Sequence, residues 1–307
     1  MISLLLLNKI IQLLIMMALG FLIVKIEIFQ SEESRVLSKL CLYLFLPIVI
    51  INSFQMSYSF EIAKNLLLAI GVSIFVHVIL IGIGYAGEKC LHMSKTEQGA
   101  MIYTNVLITI PIISSVLGTE WVVYSSAFLA VQQIFIWTHG TNLFTGKQKI
   151  SIKKILTNIN IIAVLIGGVM FVSNLRFPRL LEDTLSSMGD MVGPSCMLVT
   201  GMLLADADFS ALLKDKRIYL TASLRMIVCP ALILLVLWAS KVYCLVPDGK
   251  KVLMVTYLAV TSPASSTIIQ FAQIHENDVD HVTAITIVTT LVCIVTMPAF
   301  IYLYELL

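Results

Sequence analysis

Tyr103-Thr-Asn-Val-Leu-Ile-Thr-Ile-Pro111-Ile-Ile-Ser-Ser-Val-Leu-Gly118 is an apolar, membrane-length stretch with a proline near its centre and hydroxyls beside it. A second stretch repeats the design: Thr256-Tyr-Leu-Ala-Val-Thr-Ser-Pro263-Ala-Ser-Ser-Thr-Ile-Ile-Gln-Phe271. Proline removes one helix hydrogen bond and clashes with the preceding turn. In lipid the freed backbone groups need partners, so such breaks persist where they line protein or a watery cavity. Two broken helices in corresponding places of two halves point to a transporter binding site.

The surrounding chain is a membrane protein by composition. Of 307 residues, 59% are hydrophobic and 12% charged, and the mean hydropathy is +0.97, whereas soluble domains are about a quarter charged. Spans of about 20 apolar residues are expected at 3–24, 35–55, 65–87, 97–118, 120–143, 158–175, 186–206, 217–241, 250–272 and 279–304. The first lacks a basic start and a small-residue cleavage site, and reads as a retained helix. The whole chain, 1–307, is one integral unit, with halves 1–144 and 158–307 about a loop at 145–157.

Charge orients it. The connections after odd-numbered spans hold Lys25, Arg35, Lys39, Lys89, Lys95, Lys147, Lys149, Lys153, Lys154, Lys214, Lys216 and Arg217. The opposite set holds half as many: Lys64, Arg176, Arg179, Lys241, Lys250 and Lys251. Positive-inside bias places the first set in the cytoplasm and both termini on the extracytoplasmic side of the cell (inner) membrane. The lysine-rich loop at 147–154 reads as a solvated positive-inside loop, a lipid-binding role being the alternative.

Pro47 to Pro194 is nearly the same spacing as Pro111 to Pro263. Two markers with one offset indicate a duplication of five spans. Because five is odd, the second copy enters from the other side, an inverted repeat. The fold class is therefore an all-α membrane protein of ten helices in five plus five.

Polar groups inside the spans are the candidates for function. Asn105 can donate and accept, which suits a carboxylate or hydroxyl, or equally a helix–helix bond. Thr109, Ser114, Ser262 and Ser265 flank the breaks with Ile112 and Ala264, and most of these hydroxyls are expected to satisfy backbone. Arg225 and His77 fall at similar depths in repeat-equivalent spans and suggest attraction for an anion, against a snorkelling arginine and a neutral, carbonyl-bonded histidine. Gln132 is a weaker candidate. No carboxylate sits at mid-span, which counts against a cation antiporter. The six cysteines show no zinc spacing, and the tract His275-Glu-Asn-Asp-Val-Asp-His281 reads as a solvated turn before a metal site. No P-loop, GxSxG or HExxH motif supports an enzyme. No cofactor is expected, and a net charge of +2 gives no reason for a nucleic-acid partner.

Together these stretches resemble the auxin efflux carrier family along nearly the whole chain. The resemblance is carried by Ala18-Leu-Gly20 through Lys25, Leu37 through Pro47, Asn105 with Pro111 and Gly118, Gly193-Pro194 through Gly201, and Ser262-Pro263-Ala-Ser with Phe271-Ala. It implies ten helices with helices four and nine broken and crossing, a scaffold and a transport domain as in bile-acid symporter and NhaA-like folds, and organic-anion substrates such as auxin, malate or malonate. It carries Asn105, Pro111 and Pro263 to the crossover. The acid and lysine of the plant members' third helix have no counterpart here, where His77 stands. The expectation is a secondary carrier working by alternating access, with Pro111 and Pro263 holding the breaks open. An anion-binding receptor without transport and a Na+/H+ antiporter are the alternatives, and a homodimer is left open.

Overall fold

The structure, a computed structural model, describes residues 2–145, 153, 156–205, 214–274 and 277–306. Most of the 147–154 lysine loop and the start of the 275–281 tract lie outside the described residues. Regular structure among them is helical, apart from an isolated antiparallel bridge. The helices are α1 (Ile2–Lys25), α2 (Ser31–Ser53), α3 (Phe60–Leu91), α4 (Lys95–Ile102), α5 (Val106–Val116), α6 (Thr119–Phe144), α7 (Ile159–Val172), α8 (Arg179–Ala205), α9 (Lys216–Ser240), α10 (Gly249–Val260), α11 (Ser266–Ile274) and α12 (Val279–Glu305). Six of them, α2, α3, α6, α8, α9 and α12, are long and apolar enough to cross a membrane.

Local chemistry sets the ends. Ser59 caps α3, its hydroxyl accepting from the Ile62 amide at 3.1 Å, and His92 ends that helix in the left-handed region at φ 52°. Ser94 and Glu97 form a capping box on α4. Asn158, Asp215 and Asp278 cap α7, α9 and α12, each satisfying amide donors that a helix start leaves open. Single π-turns interrupt α2 at Cys41–Phe45, α6 at Ile136–Gly140 and α9 at Leu224–Val228.

The helices pack in two groups. α1, α2, α7 and α8 form one, and α3 to α6 with α9 to α12 form the other. Within the first, α1 and α8 meet backbone to backbone. A Cβ on Gly20 would stand 2.3 Å from the Leu198 carbonyl oxygen, and one on Gly201 would stand 1.9 Å from that of Met17. At one end of the bundle the connections are tied together: Asn174 Oδ1 accepts from the Tyr58 amide at 2.8 Å, and Gln55 Oε1 from that of Phe177 at 2.9 Å.

Candidate functional site

The two broken helices cross in the second group. The first breaks at 103–105, between α4 and α5, and the second at 261–265, between α10 and α11. The extended segments pair antiparallel at Thr104 and Ala264. The Asn105 amide donates to the Pro263 carbonyl at 2.9 Å, and the Ser265 amide donates to the Tyr103 carbonyl at 3.0 Å. Each break thus satisfies the other's backbone, the condition for an interrupted helix inside an apolar bundle. At this point α4 and α10 end, while α5 and α11 begin. Two partially negative and two partially positive helix ends meet.

Side chains from neighbouring helices clamp the crossing. Gln132 of α6 accepts from the Thr104 amide at 3.1 Å and from its hydroxyl at 2.8 Å, and donates back to the Thr104 carbonyl at 2.8 Å. Thr289 of α12 accepts from the Ala264 amide at 3.1 Å. Arg225, in the π-turn of α9 and wholly buried, donates to the carbonyls of Val260 at 3.0 Å, Ser262 at 2.8 Å and Met101 at 3.4 Å. Those carbonyls belong to the ending halves of both broken helices, where a cation is stabilised by the dipoles. His77 on α3, also wholly buried, approaches the Ser73 carbonyl with Nδ1 at 2.7 Å and stacks on Phe135 at 5.2 Å between ring centroids.

A cleft of about 420 Å³ opens between the two helix groups. Leu13, Met16, Val49, Asn52, Val192, Gly193 and Pro194 form one wall, and Ile110, Pro111, Ser114 and Val122 the other. Its mouth carries Glu120, Glu182, Asp183 and Asp190, and among the described residues no lysine or arginine lines it. Asn52 Oδ1 lines the cleft side of α2, is buried and has no described partner. A smaller chamber of about 40 Å³ lies against the crossover, lined by Leu13, Ile108, Ile112, Pro263, Thr290 and Cys293 among others.

A family model described as membrane transport protein matches residues 5–154 and 147–301. The chain belongs to this family, that of the auxin efflux carriers. It is therefore a multi-pass membrane transporter, and a small-molecule substrate is expected within it. A comparison with curated proteins finds no match.

In this membrane transport protein the expected site residues divide. Asn105, Pro263, Ala264 and Ser265 form the crossover, and Ser262 lends it a carbonyl for Arg225. Asn105 stands at the N-cap of α5 with its side chain free of the helix amides. Thr109 turns back on its own helix, donating to the Val106 carbonyl at 2.7 Å, as Ser262 does to that of Leu258 at 3.2 Å. Ser114 and Pro111 face the larger cleft, Ile112 the smaller chamber.

One expectation is corrected. Pro111 does not hold a break open: it lies inside the continuous helix α5, and the break comes at Thr104. The crossing of the chains, more than the missing amide of Pro111, sets where the helix stops. Arg225 and His77 are engaged with backbone carbonyls and line neither cavity.

A further cluster was not anticipated. At the other end of the bundle Glu97, 1% exposed, takes two bonds from Arg217 at 2.8 and 2.7 Å and lies 3.2 Å from Nε2 of His281. His281 Nδ1 lies 3.2 Å from Asp215. The cluster ties α4, α9 and α12 together. Glu97 lies 120 residues from Arg217 and 184 from His281, and in the sequence Glu97 and Arg217 stand only as the starts of expected spans.

Proposed function

We propose that the chain is a secondary carrier for a small organic anion, moved by alternating access between the two helix groups. The observation behind this reading is the crossover beside the smaller chamber, where the positive ends of α5 and α11 meet. No carboxylate is among the described hydrogen-bond partners of 103–105 or 261–265. Helix N-termini without a resident acid suit an anionic group, and the Asn105 side-chain carboxamide adds a directed bond.

The proposed arrangement is ten crossings in two inverted halves, 1–144 and 158–307, with α4–α5 and α10–α11 as the broken fourth and ninth. The nearly equal spacings of Pro47 to Pro194 and Pro111 to Pro263 support it. With both termini outside the cytoplasm, the cleft mouth faces outward. Lipid covers the apolar outer faces, as at Ile15, Leu67 and Val169, a second copy being the alternative cover.

The acidic mouth narrows the cargo. Four carboxylates repel a dianion more strongly than a monoanion. A monocarboxylate of the auxin type, carried with a proton or cation, therefore fits better than malate or malonate. Proteoliposome uptake of labelled mono- and dicarboxylates tests this, with faster monocarboxylate flux as the expected result. Binding without flux of any anion would leave a receptor. The carboxylates also favour a second reading, cation exchange, and cation flux independent of any anion would replace the first.

A further inference from the structure

Leu13 of α1 lines both cavities and is 4% exposed. It meets two partners at one point. A Cβ built on Gly193 of α8 would lie 2.9 Å from Pro111 Cβ and 4.0 Å from Leu13 Cδ2. Leu13, Pro111 and Gly193 thus converge from α1, α5 and α8, and each lines the larger cleft. Beyond Leu13 lies the chamber with Pro263, whose carbonyl holds the Asn105 amide. Asn105, Ile108 and Ile112 follow one another at helical spacing, so they share a face of α5, and the two isoleucines line that chamber.

We propose that Leu13 is an apolar gate, closed against Pro111 and Gly193, between the outer cleft and the crossover chamber. The proposal rests on the carrier reading for its purpose and on the two cavities for its geometry. Leu13 is shared by the linings of both cavities. The chamber has about a tenth of the cleft's volume, too little for an organic solute until it widens. An apolar constriction of this kind excludes hydrated ions by dewetting. A leucine can swing between staggered rotamers, and the adjoining Met17, Met197 and Met297 are unbranched side chains that repack readily. Pro111 offers a rigid ring as a stop, and the missing side chain of Gly193 lets α5 and α8 approach at the gate.

The chamber contains its own reporter, the free thiol of Cys293. The test is the rate at which a positively charged, water-soluble methanethiosulfonate modifies Cys293 in the full-length protein in nanodiscs, read by peptide mass spectrometry. Cys293 is expected to react slowly in the native protein, and Leu13→Ala, which removes the apolar constriction, to speed it by about tenfold or more. Ile15→Ala, on the exposed face of the same helix, is expected to leave the rate unchanged. A Leu13→Ala rate within about twofold of native overturns the gate. Leu13→Val, which shortens the side chain with less loss of packing, carries the same test if the alanine variant does not give monodisperse protein. Labelling does not depend on transport. Faster labelling without anion flux in any variant supports the gate while removing the carrier reading, and unchanged labelling with flux intact removes the gate alone.

Discussion

Arg225 binds, with one guanidinium, carbonyls from the ends of two separate helices. Its removal leaves buried acceptors without donors, which costs more than the bonds themselves contribute. Arg225→Met is expected to destabilise the purified protein by about 3 kcal/mol or more, and Arg225→Lys by less, since an ammonium keeps the charge but not the fork. Thermal scanning in detergent measures both, and a native-like melting curve for Arg225→Met would remove the structural role assigned to it. In the sequence, a lone cation in an apolar span suggests an anion. Its actual partners are carbonyls that the two breaks expose, and those become visible only once the chain is folded. The amide of Gln132 was legible as a polar group in α6 but not as the clamp on Thr104, 28 residues away. Asn105 was legible as a polar group within a span, but not as the start of a half-helix, because Pro111 was expected to mark the break.

At the scale of the element, proline was a sound marker of the second break and a displaced marker of the first. Pro263 lies in the break itself, whereas Pro111 lies within α5. A single missing amide is tolerated inside a helix whose side faces a cleft. Two chains that must cross need extended backbone where they touch, whatever the local residues prefer. The α1–α8 contact makes a second element-scale statement. Gly201→Ala places a methyl against the Met17 backbone, which cannot move aside as a side chain can, and is expected to cost about 1–3 kcal/mol. Gly71→Ala on α3 meets nothing within 4 Å and is expected to stabilise by up to about 1 kcal/mol through helix propensity. Melting temperatures of the two variants moving in the same direction would count against this account of the contact.

For the molecule as a whole, apolar runs and charge bias reported a membrane bundle, and the family match agrees. They could not report the Glu97–Arg217–His281 cluster, because its members lie 120 and 184 residues apart and each looks ordinary where it stands. Nor could they report the cleft, whose walls come from both helix groups. The crossover, however, has a consequence for the continuity of the chain. Met101 and Tyr103 precede the central loop, Arg225 and Ser265 follow it, and the bonds between them do not pass through that loop. Severing the polypeptide there should leave a heterodimer. Residues 1–150 and 151–307, co-expressed as separate polypeptides, are expected to copurify through a tag on one of them, and Arg225→Met, which removes the bond to Met101 across the cut, to lower the yield of the pair. Such a pair would stay together as two strands do when each supplies the backbone partners that the other lacks.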